Sequence, residues 1–109
     1  MTELGPLAAC PLLQNFDCSE TKVAELGPLA ACTLLQTLNC SSTEVADLGP
    51  LSACTLLQDL DCGNTKVAEL RPLAACTGLV NLTCPIGVTE ARIQRICKAC
   101  RNLDWVSQS

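Results

Sequence analysis

The chain is expected to fold as an α/β repeat solenoid, a curved parallel sheet of about five strands with short helices on its convex side. Three observations predict it. First, a 22-residue unit is written four times in 109 residues, as Leu4–Glu25, Leu26–Asp47, Leu48–Glu69 and Leu70–Ala91. The second and third copies agree at 15 of 22 positions. A fixed period of roughly 20–50 residues marks a stacked repeat, because each unit buries its apolar face only against its neighbours. Second, apolar spacing changes inside the unit. In the second copy it runs Leu26, Leu29, Cys32, Leu35, Leu38, then Cys40, Thr43 and Val45. Steps of three suit a short 3₁₀ or α turn, and the step of two from Leu38 suits a strand. Third, Gly27-Pro28 punctuates the unit. Gly turns the chain, and Pro is pre-set for the first helical position. An acid stands just upstream (Glu25, Asp47, Glu69), where it favours the helix dipole.

The fourth unit departs from the pattern. Gly78 replaces a leucine, and Cys84-Pro85-Ile86-Gly87 loses the threonine. Thr89 is expected as the N-cap of a longer helix. Ile93, Ile96, Cys97 and Cys100 share one face of that helix. Cys100, Leu103 and Val106 then repeat the spacing of Cys76, Leu79 and Leu82. This predicts a lengthened half-repeat over 89–109, a capping helix followed by an edge strand at Asn102–Ser107. Residues 1–109 form one domain. The N-terminal unit has no obvious polar cap, which predicts that Leu4–Val23 either frays or is covered by another chain.

The string Leu35-x-x-Leu38-x-Cys40-x-x-Thr43-x-Val45 resembles the leucine-rich repeat, and specifically its cysteine-containing, threonine-bearing variety. The resemblance spans nearly the whole chain. It implies a solenoid that presents a surface to protein partners. Two departures matter. Cys40 stands where the family has leucine, and Thr21, Thr43 and Thr65 stand where it often has asparagine. In the family that asparagine bonds the turn backbone, a task a threonine hydroxyl also performs, more weakly.

Composition narrows the function. Hydrophobic residues make up 49%, with one Phe, one Trp and no Tyr, so the core is expected from Leu, Ala, Val and Cys. No apolar run approaches the roughly 18 residues of a membrane span. The N-terminus lacks the basic region of a signal peptide. A net charge of −4 argues against nucleic acid and anionic membrane as partners. There is no histidine, no phosphate-binding glycine loop and no catalytic constellation. The expected function is a non-catalytic protein–protein interaction module without cofactor, either by itself or as a fragment of a longer repeat protein.

Ten cysteines in a small chain suggest disulfides, but eight are repeat positions: Cys10, Cys32, Cys54, Cys76 and Cys18, Cys40, Cys62, Cys84. They punctuate the leucine pattern as members of it. Equivalent residues on adjacent strands lie about 4.8 Å apart with parallel Cβ vectors, which disfavours bridging. Free buried thiols in a reducing, cytoplasmic compartment are expected. The alternative is a secreted or surface repeat protein with disulfides and with glycans at Asn39-Cys40-Ser41 and Asn81-Leu82-Thr83. Cys97-x-x-Cys100 reads as two apolar-face cysteines ahead of half a zinc site or a redox pair.

The phase also lists a candidate surface. The concave columns are Asn15, Thr37, Asp59, Asn81; Asp17, Asn39, Asp61, Thr83; and Ser19, Ser41, Gly63, Pro85. Candidate partner-binding residues are Asn39, Asp59, Asp61 and Asn81, together with Trp105, which extends the first column. Trp105 either caps the open core or anchors a partner. The row Leu12, Leu34, Leu56 either widens the core or forms an exposed stripe for self-association or a partner.

Overall fold

The computed structural model describes Leu4, Gly5 and residues 9–109. Five strands form one parallel sheet in sequence order: β1 (Asn15–Asp17), β2 (Thr37–Asn39), β3 (Asp59–Asp61), β4 (Asn81–Cys84) and β5 (Trp105–Gln108). The first four start 22 residues apart, and β5 starts 24 residues after β4. Register follows the period, with Phe16, Leu38, Leu60, Leu82 and Val106 aligned in one row.

The turns are 3₁₀ helices at Gly27–Ala31, Gly49–Ala53 and Arg71–Ala75, each with proline in the first turn. Three residues per turn explains the spacing by threes. In the second unit it places Leu26, Leu29 and Cys32 in one inward row, and all three are buried. The upstream acids work as expected at two copies. Asp47 accepts the Gly49 amide at 2.7 Å, and Glu69 accepts the Arg71 amide at 3.1 Å.

The threonines also perform the task that the resemblance implies. Thr21, Thr43 and Thr65 donate Oγ1–H to the carbonyls of Cys18, Cys40 and Cys62 at 2.6–2.7 Å. Each hydroxyl also accepts the amide two residues on, at 3.4 Å. One threonine thus closes the turn after each of β1, β2 and β3 from both sides. The same turn places Glu20, Ser42 and Asn64 at φ of 56°, 55° and 51°. Asparagine tolerates this left-handed region best of the three.

The core is a stack of Leu, Val and Cys joined by Ile93 and Ile96. Alanine is absent from it among the described residues, contrary to the composition-based expectation. Ala30, Ala31, Ala74 and Ala75 lie exposed on the 3₁₀ turns, where a small side chain suits a tight outer curve. Among the described residues, no buried side-chain polar atom lacks a hydrogen bond.

The C-terminal segment differs in detail from expectation. Helix α1 (Glu90–Ala99) begins after Thr89, whose backbone is extended as an N-cap requires, but its hydroxyl makes no capping bond. The Thr89 carbonyl instead accepts the amides of Arg92 and Ile93 at 3.1 and 3.2 Å. Strand β5 begins at Trp105 rather than Asn102, because residues 101–104 repeat the turn of the earlier units. The Leu103 amide reaches the Cys100 carbonyl just as Leu35 reaches Cys32.

Where the fourth unit loses its turn, two late residues substitute. The Gln108 amide nitrogen lies 3.0–3.3 Å from the carbonyls of Pro85, Ile86 and Val88. The Ser109 carbonyl accepts the Asn64 amide at 2.7 Å, where a regular unit uses Ser41 or Gly63. Gly63 is shaped by this substitution, since a Cβ there meets the Ser109 Cβ at 3.0 Å.

Candidate protein-interaction surface

The sheet's concave side carries the first two predicted columns in the predicted register, and the third (Ser19, Ser41, Gly63, Pro85) lies beyond the strands. Asn15, Thr37, Asp59 and Asn81 align, and Trp105 pairs with Asn81 as the fifth member. Trp105 remains 63% exposed, so it does not cap the core. Its residue parity on the strand turns it to the concave side, and Val106 turns inward instead. Asn81, the strand neighbour of Trp105, donates its Nδ2–H to Asp59 Oδ1.

The second column is engaged in its own turns. Asp17 Oδ1 accepts the Ser19 amide and hydroxyl at 2.9 and 2.6 Å. These bonds, chiefly the hydroxyl's, hold the carboxyl below its ordinary range. Asn39 Oδ1 accepts the Ser41 amide and hydroxyl at 3.1 and 2.8 Å, and Asp61 Oδ1 accepts the Gly63 amide at 3.0 Å. Asn39 and Asp61 therefore act first as turn-forming residues, while Asp59, Asn81 and Trp105 cluster toward the C-terminal strands. The columns contain three carboxylates (Asp17, Asp59, Asp61) and no lysine or arginine.

The leucine row is neither wholly core nor a continuous stripe. Leu12 is 76% exposed and Leu56 46%, with Leu34 half-buried between them. Gly78 ends the row, with open space where its side chain would be.

Seven of the eight repeat cysteines are buried; Cys10 is exposed, a correction at the outermost copy. The helix-side cysteines form a ladder of sulfur-to-carbonyl bonds. Cys32 Sγ donates to the Cys10 carbonyl at 3.4 Å, Cys54 to Cys32 at 3.5 Å, Cys76 to Cys54 at 3.3 Å, and Cys100 to Cys76 at 3.2 Å. Cys100 is thus the ladder's fifth member, and Cys97 lies half-buried beside it. Burial raises these thiols, Cys54 to about 11 and Cys76 to about 12. On the strand side, burial pushes Cys40 up to about 12 and drives Cys62 upward as well. Thiolates are disfavoured at these buried positions, so the interior of the ladders lacks the chemistry of a reactive cysteine. Among the described residues, no three His, Cys, Asp or Glu side chains are grouped to hold a metal ion.

Comparison with known proteins agrees with this architecture. Residues 33–75 match the family model described as leucine rich repeats, in two copies. Internalin C2 of Listeria monocytogenes superposes with a TM-score of 0.84 at 25% identity, over 97% of this chain and 46% of that one. The functional domain of InlJ from the same organism, described as including a cysteine ladder, superposes with a TM-score of 0.84 at 20% identity, over all of this chain and 23% of that one. No curated protein sequence matches the chain. The chain has a leucine-rich-repeat fold with stacked cysteines, and it spans less than half the length of either solved structure.

Proposed function

We propose that the chain is a non-catalytic protein-interaction module that receives a basic segment of a protein partner on its concave face. The carrying observation is Trp105, a largely exposed indole whose strand neighbour Asn81 is bonded to Asp59, in columns that hold carboxylates and no lysine or arginine. An arginine or lysine laid over the indole gains a cation–π contact, and Asp59 and Asp61 supply the countercharge. The surrounding side chains are small, which leaves room for an extended backbone. The leucine-rich-repeat fold and its internalin neighbours support the interaction role. Absence of histidine, and thiols held protonated by burial, support the non-catalytic reading. The buried thiols also support a reducing, cytoplasmic setting.

Selection of a displayed random peptide library against the protein tests this, with Trp105, the sole tryptophan, as the fluorescent reporter. Enriched peptides are expected to be Arg- or Lys-rich and to shift Trp105 emission. They are expected to lose roughly tenfold or more in affinity for Trp105→Ala, which is about 1.4 kcal/mol. Enriched peptides that bind Trp105→Ala and Asp59→Lys as well as the parent overturn the proposal.

A further inference from the structure

Two inward rows that the middle of the stack buries are only half-buried at its two ends. In the row Phe16, Leu38, Leu60, Leu82, Val106, the three central leucines are 1–3% exposed, whereas Phe16 and Val106 are half-buried. In the row Leu13, Leu35, Leu57, Leu79, Leu103, the central three are 0% exposed, and Leu13 and Leu103 are half-buried. At the C-terminal end, Ile93, Cys97 and Val106 line a groove of about 290 Å³ rimmed by Glu90, Gln94 and Gln108.

The backbone shows the same periodicity. The amides of Gln36 and Thr37 point to the Gln14 carbonyl, those of Gln58 and Asp59 to Gln36, those of Val80 and Asn81 to Gln58, and those of Asp104 and Trp105 to Val80. Gln14 and Asn15 begin this series. Among the described strands, β1 and β5 each have one neighbour.

Charge divides along the same axis. Residues 1–69 hold nine acidic and two basic side chains, and residues 70–109 hold two acidic and five basic. Of those five, Arg71, Arg95, Lys98 and Arg101 are exposed.

We infer that the C-terminal end of one copy docks on the N-terminal end of the next, with β5 lying parallel to β1 and continuing the sheet. The occupant is a second copy of this chain because its own end matches in strand register, in two apolar rows and in charge. Val106 meets Phe16, Leu103 meets Leu13, and the Asp104 carbonyl accepts the Gln14 and Asn15 amides. The basic end faces the acidic one. Such a contact is heterologous, so assembly is open-ended rather than stopping at a dimer. It uses the stack's ends and does not depend on the peptide-binding reading of the concave face.

Sedimentation velocity of the whole chain across a concentration series tests this. The mean mass is expected to rise past twice the 11.5 kDa of one chain and to fall in high salt. Asn15→Pro removes an edge amide, and Val106→Lys places a charge in the open row. Each is expected to weaken self-association about tenfold or more. Mixed together they are expected to restore one-to-one pairing, since each keeps one intact end. Circular dichroism checks folding of both variants, and Cys97→Lys replaces Val106→Lys if the latter unfolds. A mass that stays at 11.5 kDa up to millimolar protein overturns the inference. So does failure of the folded variants to pair on mixing.

Discussion

The N-terminal and C-terminal ends of the stack face the same physical problem and meet it differently. At the C-terminal end, α1 lays Ile93 and Ile96 over the last units, Cys100 completes the helix-side ladder, and Gln108 and Ser109 satisfy the irregular fourth turn. At the N-terminal end, among the described residues, Cys10 and Leu12 stay exposed and Leu13 and Phe16 half-buried. A solenoid unit is only as stable as the faces covering it. The difference teaches that position in the stack, more than residue type, sets what each copy of the motif contributes.

Core truncations test this most strongly. Leu60→Ala, in the buried middle of its row, is expected to lose about 2–5 kcal/mol in urea unfolding. Leu13→Ala, in the equivalent apolar role at the open end, is expected to lose less than half as much, because its site is already partly wet. Equal losses break the comparison.

The cysteines sharpen it at a smaller scale. Cys54→Ser is expected to destabilise by about 1–3 kcal/mol, since the carbonyls of Leu29 and Cys32 lie too far for a good hydroxyl bond and the site is apolar. Cys10→Ser is expected to leave the unfolding midpoint unchanged within error. In the native protein, a thiol reagent is expected to modify Cys10 first. After unfolding without reductant, ten free thiols support a reducing compartment, and few or none support the secreted alternative.

The same thiols carry a pH dependence. Burial raises the folded values of Cys54, Cys40 and Cys76 to about 11–12 from an ordinary 9.0. Between those values the unfolded chain loses protons that the folded chain keeps. Stability is therefore full below about pH 9 and declines as pH climbs toward 12. Denaturant midpoints at pH 7, 9 and 10.5 measure this. A midpoint that does not fall between pH 9 and 10.5 contradicts thiol burial.

The smallest effect belongs to the substitute turn. Gln108→Ala removes an amide shared among three carbonyls and is expected to cost about 1 kcal/mol. Faster exchange of the Val88 amide, which bonds the Pro85 carbonyl, is the accompanying signature. No change in either quantity shows that the Gln108 contacts do not hold the C-terminal end.

The sequence alone determined the period, the parallel register, the threonine that closes the first three turns, and the extension of the Asn81 column to Trp105. These are local or periodic properties. Steps of three and two map onto a 3₁₀ turn and a strand, and one register repeats wherever the spacing does. Tertiary structure decided the rest. Residue type did not show that Trp105 stays exposed, that alanine lies outside the core, that Cys10 differs from Cys54, or that Asn39 and Asp61 are occupied with their own turns. It also did not show that Gln108 and Ser109 complete units written some 20–45 residues earlier. The physical reason is the same in each case: burial belongs to the neighbours that stacking supplies, and a repeat carries the same letters whether or not a neighbour is present.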